Sequence, residues 1–572
     1  MQNNSSSNIP LKKKIPIGIE NYKEIIDEKF YYVDKTLLAK ELLDSRSKAF
    51  LITRPRRFGK TLGLSTIQTF FEDERDENGT KIDNLHYFDE KKIMTAGEIY
   101  TSHAGKYPVI KLSLKSAKQP DFETAYANLK REIAKEYRRH KYILKSDVLS
   151  KEESTEYCNI MEKKAEYQHY TTALEFLSEC LERYHKNKCI ILIDEYDVPL
   201  ENAWFEGFYD PMIKFIRSLF ESALKTNDHL MFSVVTGCLR ISRESIFTGL
   251  NNLKVVSILN TSFGEYFGFT PNEVEDMLDF YEIGEYKEAA KKWYDGYLFG
   301  KAEVYNPWSI INYVDDTVSG TTNFPKPYWS NTSSNHIIRE LVERADVQVR
   351  REIEDLLDGG FIEKPIHEDI TYDSVYDSQD NLWNFLFFTG YLKKYEDRQE
   401  VRSVYVKMSI PNEEIAYIYE NTVLAWFDKK IRKTDVTPLI NAIEEGDCEK
   451  FGNFLSKQLL ETISFYDYKE SYYHGFLTGI LKCFPNYIVF SNQETGLGRS
   501  DILLQEAVFR GRGVILELKI TDDIDKMEDM CDKALQQIEE QQYEQILRKE
   551  GCREILKYGL CFFKKGCLVK KL

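Results

Sequence analysis

Between Leu51 and Phe71 the chain reads LITRPRRFGKTLGLSTIQTFF, and this stretch restricts the fold more than any other. An apolar run (AFLI) meets Gly59, Lys60 and Thr61, then passes at once into an amphipathic helical pattern. A helix that starts this abruptly has first-turn N–H groups without intrahelical partners, and such groups cradle anions. The match to the P-loop pattern GxxxxGK followed by Ser or Thr is incomplete, because Arg54 stands at the first glycine. The loop residues Arg56, Arg57, Phe58 and Gly59, with Lys60, Thr61 and Leu62 at the helix start, are expected to hold the phosphates of ATP. Lys60 is expected to reach the β- and γ-phosphates, and Thr61 to hold Mg²⁺ through its hydroxyl. Alone, a GKT is more often an ordinary loop.

CIILIDEYDVPL, beginning at Cys189, supplies the partner that changes this balance. Its aliphatic run reads as a buried parallel strand, whose C-terminal end is where α/β proteins place ligands. Asp194 there is expected to hold Mg²⁺ through water, and Glu195 to orient or deprotonate the attacking water. The competing reading is a core strand followed by an acidic turn. LMFSVVTG (Leu230 to Gly237) is expected beside that strand, with the Thr236 hydroxyl near the γ-phosphate. Arg240 and Arg243 follow as candidates for sensing phosphate or for an arginine finger, although surface ion pairing is the commoner fate of arginine. VIKLSL from Val109 is a further candidate strand of the same sheet.

A second constellation lies near the C-terminus. Asp501 opens the run DILL, and VILELKI follows with Glu517 and Lys519 two residues apart. Alternate residues of a strand share a face. QEAVFRGRG between the runs reads as a hairpin connection, so a turn centred near Phe509 sets Asp501 opposite Glu517 or within one residue of it. Adjacent carboxylates repel, and burial would neutralise one of them. A bound Mg²⁺ or Mn²⁺ removes that penalty, and the lysine is then placed to stabilise charge on a phosphate. The plainer reading is a hairpin with a solvated ExK, but a glutamate inside VILEL fits poorly with it. GLGRSD followed by ELK resembles the core of the PD-(D/E)xK nuclease superfamily, with Ser500 in place of the leading proline. The resemblance implies a further glutamate on the first core helix. Glu470 is the candidate and Glu494 its competitor; a solvent-facing helix position is the default for Glu470. Gln537 and Tyr543 resemble the glutamine and tyrosine that follow the core in some of these nucleases. Arg499, Arg510 and Arg512 are expected to cluster around the site.

At 572 residues the chain is expected to form two to four domains. The net charge of −16 weighs against a general nucleic-acid coat but leaves room for a local basic groove. The ten cysteines are scattered and form no CxxC pair, which argues against a zinc site or a disulfide scaffold and for a cytoplasmic protein. No apolar stretch approaches the ~18 residues of a membrane span, and the N-terminal MQNNSSSNIPLKKK has no secretory apolar segment.

The segments IPIGIENYKEIIDEKFYYVDKT, RPRRFGKT, LIDEYDVPL, TGCLRISRESIFTGLNNLKV, WYDGYLFGKAEVYNPWSI and YWSNTSS, in this order, resemble the bacterial AAA-ATPase-like family. That family is commonly fused to a PD-(D/E)xK domain, and arginine at the first P-loop position is usual in it. The expected fold is α/β: a P-loop NTPase sheet with a helical lid region, plus a C-terminal α/β restriction-endonuclease-like domain. Expected boundaries are a disordered 1–14, a P-loop domain at 15–265 with a helical insertion from Lys130 to Tyr184, a helical lid at 266–440, and a nuclease-like domain at 441–572. The aromatics Trp293, Tyr294, Tyr297 and Trp308 are expected as lid core rather than as a base-stacking platform. The expected function couples ATP binding and hydrolysis to metal-dependent cleavage of a phosphodiester in DNA or RNA. The alternative is a nucleotide-gated switch that binds nucleic acid or protein without cutting. The number of subunits is open, an oligomer included, because neither arginine is assigned as a finger.

Overall fold

The computed structural model describes residues 13–572 except 226, 241–245, 248–251, 332–337, 339–346, 369–374, 376–377, 401–402, 432–434, 461–469, 496–497 and 509. Some helix and strand residues, Glu470, Glu494 and Arg499 among them, are described by backbone alone. Two compact units emerge: Met1–Ser334 with Glu363–Ala416, and Asn335–Ile362 with Tyr417–Leu572. The region 266–440 is therefore not a body of its own, since much of it belongs to the first unit.

The first unit is built on β1 (Ala49–Thr53), β2 (Val109–Ser113), β3 (Cys189–Asp194), β4 (Leu230–Gly237) and β5 (Leu253–Val256). All neighbours pair in parallel, in the order β2-β3-β4-β1-β5. Every residue of β1 and β3 is buried, as apolar runs in a covered parallel sheet should be. Helix α1 (Lys60–Phe71) lays Leu64, Ile67, Phe70 and Phe71 in the same core as Phe50 and Ile52 of β1. Because β4 lies between β1 and β3, the loop leaving β1 and the acidic end of β3 both border the C-terminal end of β4. That is the edge where ligands bind in such sheets. The insertion before β3 is helical as expected, over Phe122–Arg139, Lys151–Met161 and Ala173–His185.

Beyond the sheet, Thr270 and Glu273 form a capping box for the helix Pro271–Phe280. Asn306 caps α2 (Pro307–Val318). The region expected as a helical lid also carries strands. A hairpin pairs Tyr297–Phe299 with Ala302–Val304, and a second sheet joins Ile362–Pro365, Ser403–Ser409 and Lys393–Glu400. Lys393–Glu400 is almost wholly exposed and charged, so it carries no apolar alternation to announce a strand. Tyr294 and Tyr297 are buried, in keeping with core packing, while Trp293 and Trp308 are half-buried.

The second unit holds a mixed sheet of β6 (Tyr487–Thr495), β7 (Gly498–Glu506), β8 (Arg512–Ile520), β9 (Glu554–Phe563) and β10 (Gly566–Lys571), in that order. Only the β8–β9 pair is parallel. Ile502, Leu504, Val514, Leu516 and Leu518 share a core with the helices Thr437–Glu445, Cys448–Leu460 and α3 (Glu470–Leu481). The alternate residues Leu503 and Ile515 pack with Leu535 and Ile538 of α4 (Met527–Glu540). A Cβ on Gly559 would sit 2.4 Å from the Cys531 carbonyl oxygen, so only glycine lets α4 approach β9 this closely. Gly559 pairs with Glu517, which fixes α4 over the ELK strand. No helix among the described residues is long and apolar enough to cross a membrane.

Candidate active sites

In the first site, Arg57 (φ 70°) and Gly59 (φ 79°) take left-handed backbone and turn the chain into α1 with Lys60 as its first residue. Arg54, the residue in place of the first glycine, is fully buried. Its guanidinium donates to the carbonyls of Thr53 (2.8 Å) and Val256 (3.1 Å) and lies over the rings of Phe299 and Phe267. Its backbone N–H donates to Gly237 O at 3.1 Å. Burial pushes the guanidinium down to about 9, opposed by the charge of Glu41. Arg54 is thus a strut that ties β1 to the ends of β4 and β5. Lys60 Nζ donates to the carbonyls of Arg54 (2.9 Å) and Pro55 (2.8 Å). Arg56 pairs with Glu201 at 2.5 Å. Phe58 is buried against Tyr297 and Phe299, and Leu62 packs at the edge of the sheet core.

Asp194, 2 % exposed, ends β3 at the centre of this site. Its Oδ2 accepts from the Thr61 hydroxyl at 2.6 Å and its Oδ1 from the Thr236 hydroxyl at 2.6 Å. The Glu195 N–H donates to Oδ1 at 3.0 Å. The P-loop threonine, the acidic strand and β4 are therefore joined through one carboxylate. Glu195 has φ 52°, a conformation a non-glycine residue keeps only when its surroundings impose it. Burial, and then the charge of Asp194, push its carboxyl above the usual range.

Sequence reasoning missed Asp197, whose Oδ2 accepts from the backbone N–H of Cys238 (2.6 Å) and Leu239 (3.1 Å). It clamps the exit of β4 to the exit of β3. The second aspartate of DEYD was its only signal. Gly237 permits the close fit, because a Cβ there would lie 2.6 Å from the Tyr196 ring. Arg240 meets Glu368 at 3.3 Å, and Arg243 lies outside the described residues.

In the second site, β7 and β8 pair Ile502 with Leu516. One step further along that register sets Asp501 across from Glu517. Asp501 Oδ2 accepts the Leu518 N–H at 2.8 Å, so its carboxylate reaches the ELK strand. Glu517 is 1 % exposed. Its Oε1 lies 3.3 Å from Lys519 Nζ, while its Oε2 is buried without a hydrogen-bond partner among the described residues. Burial first and the Asp501 charge second push Glu517 up to about 7, with Lys519 opposing them. An orphaned carboxylate oxygen beside a second carboxylate is a donor set that fits a hard divalent cation. Among the described residues, no group of three or more His, Cys, Asp or Glu side chains gathers here or elsewhere.

The surrounding candidates fare differently. Gln537 Nε2 donates to the Tyr543 hydroxyl at 3.1 Å. Burial, and then the charges of Glu517 and Asp501, push the Tyr543 phenol up, so this pair stands within electrostatic reach of the carboxylates. Glu470 is the first residue of α3, one turn before His474, whose Nε2 lies 3.0 Å from the Asp501 carbonyl oxygen. Glu494 stands in register with Arg499. The side chains of Glu470, Glu494 and Arg499 are outside those described. Arg512 departs from the expected basic cluster. It pairs with Glu554 (2.9 Å) and Glu444 (3.6 Å), five residues from Glu517 along β8, or roughly 17 Å of strand.

Residues 16–247 match the family model described as AAA-ATPase-like, predicted AAA-ATPase. Residues 468–572 match the model of the PD-(D/E)XK nuclease superfamily. An uncharacterized protein from the vnfD 5′ region of Azotobacter chroococcum mcd 1 is 25 % identical over 336 residues, which are 58 % of this chain and 56 % of that protein. The chain thus spans little more than half the length of that relative. A Walker-type ATPase of Pyrococcus abyssi aligns with a TM-score of 0.36 and 13 % identity, over 72 % of this chain and 99 % of its own.

Proposed function

We propose that this chain, an AAA-ATPase-like segment followed by a PD-(D/E)XK segment, binds and hydrolyses ATP with its first site and cuts a phosphodiester with its second. The observation that carries the second half is the bare Oε2 of Glu517 beside Asp501. A buried carboxylate oxygen left without a partner costs on the order of 1–3 kcal/mol, a cost that a bound cation removes. Asp501 and Glu517 would hold that ion. A divalent ion so held polarises a phosphoryl oxygen and lowers the pKa of bound water. Lys519, close to Glu517, would place its positive charge where the phosphate gains negative charge.

At the first site, Lys60 would exchange the carbonyls of Arg54 and Pro55 for phosphate oxygens. Thr61 and Asp194, already hydrogen-bonded to each other, would share the Mg²⁺ that accompanies ATP. Glu195, with its pKa raised by burial and by Asp194, is the group suited to accept a proton from the attacking water. Thr236 would keep Asp194 oriented.

The test is a panel of single- and double-stranded DNA and RNA with Mg²⁺ or Mn²⁺, using wild type and Asp501→Ala, with ATP turnover measured in wild type and Glu195→Gln. Metal-dependent cutting that disappears in Asp501→Ala supports the nuclease reading. Tight binding without cutting by wild type replaces it with a nucleotide-gated binding module.

A further inference from the structure

The P-loop of this chain carries three arginines within four residues, and their surroundings set them apart. Arg54 is sealed in the core beneath the loop. Arg56 is tied to Glu201. Arg57 is exposed, and no ion pair engages it among the described residues. Its guanidinium instead lies over the indole of Trp308, 4.4 Å from the ring centroid.

The two partners in this contact are held with very different firmness. Trp308 is the second residue of α2, its N–H capped by the Asn306 side chain at 3.0 Å. Its indole N–H donates to the Tyr328 carbonyl at 3.3 Å, which fixes the ring. Arg57 is fixed only through its backbone, whose φ of 70° sets the direction in which the side chain leaves the loop. An exposed cation–π contact is a weak hold. Charge-assisted hydrogen bonds from a guanidinium to phosphate are stronger and directional. Given both partners within reach of one flexible arm, phosphate wins.

We propose that Arg57 is a phosphate-responsive arm, drawn from Trp308 to the phosphates of a bound nucleotide. This deepens the nucleotide reading above and rests on it. The exchange uncovers the indole and frees the N-terminal turn of α2 from its tie to the P-loop. Nucleotide occupancy would thereby be felt outside the parallel sheet, within the first unit.

Tryptophan emission tests this, because Trp308 is one of six tryptophans and can be isolated by difference. Emission is recorded for wild type, Trp308→Phe and Arg57→Ala during titration with Mg-ATP, inorganic tripolyphosphate and adenosine, with binding followed in parallel by calorimetry. The expected result is an emission change with Mg-ATP and with tripolyphosphate that is absent in both variants. Arg57→Ala should weaken Mg-ATP binding about tenfold, and Trp308→Phe should leave it equal or up to a few-fold tighter. The inference is overturned if Mg-ATP binds without altering Trp308 emission. It is also overturned if adenosine alone reproduces the change, since the base would then be the group displacing the guanidinium. If calorimetry finds no binding of Mg-ATP at all, the nucleotide reading falls first and this inference with it.

Discussion

Asp194 and Glu517 occupy comparable positions in unlike units, and their hydrogen bonds divide them. Both are carboxylates on strands, 2 % and 1 % exposed. Asp194 accepts from two hydroxyls and one backbone N–H. Among the described residues, Glu517 Oε1 meets Lys519 Nζ at 3.3 Å and its Oε2, beside Asp501, has no hydrogen-bond partner. The first carboxylate is satisfied by the protein itself, so it can shape a site without an outside partner. The second is raised to about 7 and needs an outside positive charge to ionise fully at neutral pH. A switch-like site and a metal-demanding site would differ in this way, and the contrast can be attacked at both ends.

The largest effect is expected at the unsatisfied end. Glu517→Gln keeps the shape and removes the charge, and should lower metal-dependent cleavage by ~10³-fold or more. Mn²⁺ should raise the melting temperature of the wild type, and this variant should lose that rise, because stabilisation by a ligand follows its affinity. Wild-type cutting rates in this variant would break the comparison. Next in size is Lys60→Ala, which should weaken ATP binding ~100-fold, the worth of a charge-assisted phosphate contact. The same variant probes linkage between the sites: a ligand shifts an equilibrium only by its differential affinity for two states. If cutting by Lys60→Ala is the same with and without ATP and equal to wild type, the two activities are independent.

The two sites were also legible to different degrees. The order AFLI, GKT and IILIDE exposed the first sheet, because buried parallel strands are written as apolar runs. The hairpin arithmetic around position 509 placed Asp501 against Glu517, because antiparallel register follows from the length of the connection. What escaped depends on contacts made far along the chain. Arg54 reads as a defect in the P-loop frame, and becomes a strut only once Phe267 and Phe299 arrive above it. Arg512 sits near Glu517 in sequence, but distance along an extended strand carried it away to Glu554. The parallel partner of the ELK strand, Glu554–Phe563, is hidden for the same reason: nothing local signals a pairing across a whole helix.

A third buried carboxylate sharpens the contrast through pH. Glu414, in the first unit, accepts from the Ser309 hydroxyl and the Trp329 N–H, each at 2.8 Å, yet burial raises it to about 8. Its folded pKa lies above its unfolded value, so its contribution to stability is complete below about 4.5 and is lost as pH rises through 8. Between pH 6 and pH 8 the loss is on the order of 2 kcal/mol, at ~1.4 kcal/mol per unit. Glu414→Gln should flatten that part of the stability curve of the first unit, measured by urea denaturation at each pH. An unchanged slope would show that accepting two hydrogen bonds is enough to offset burial of a glutamate, and would place the whole difference between Asp194 and Glu517 on their hydrogen bonds.

The smallest effect tests the satisfied end directly. Thr236→Val removes one hydroxyl from Asp194 and changes little in volume, leaving Thr61 and the Glu195 N–H as its donors. The loss of one hydrogen bond to this buried carboxyl is worth about 1–2 kcal/mol. Mg-ATP affinity should therefore fall by roughly tenfold while the melting temperature of the first unit falls by only a few degrees. The two readouts separate the possible roles of the hydroxyl. If stability drops and affinity does not, Thr236 merely satisfies a buried carboxylate. If affinity drops at nearly constant stability, the hydroxyl aims Asp194 at the ion that ATP brings, and the self-satisfied carboxylate is the preorganised one.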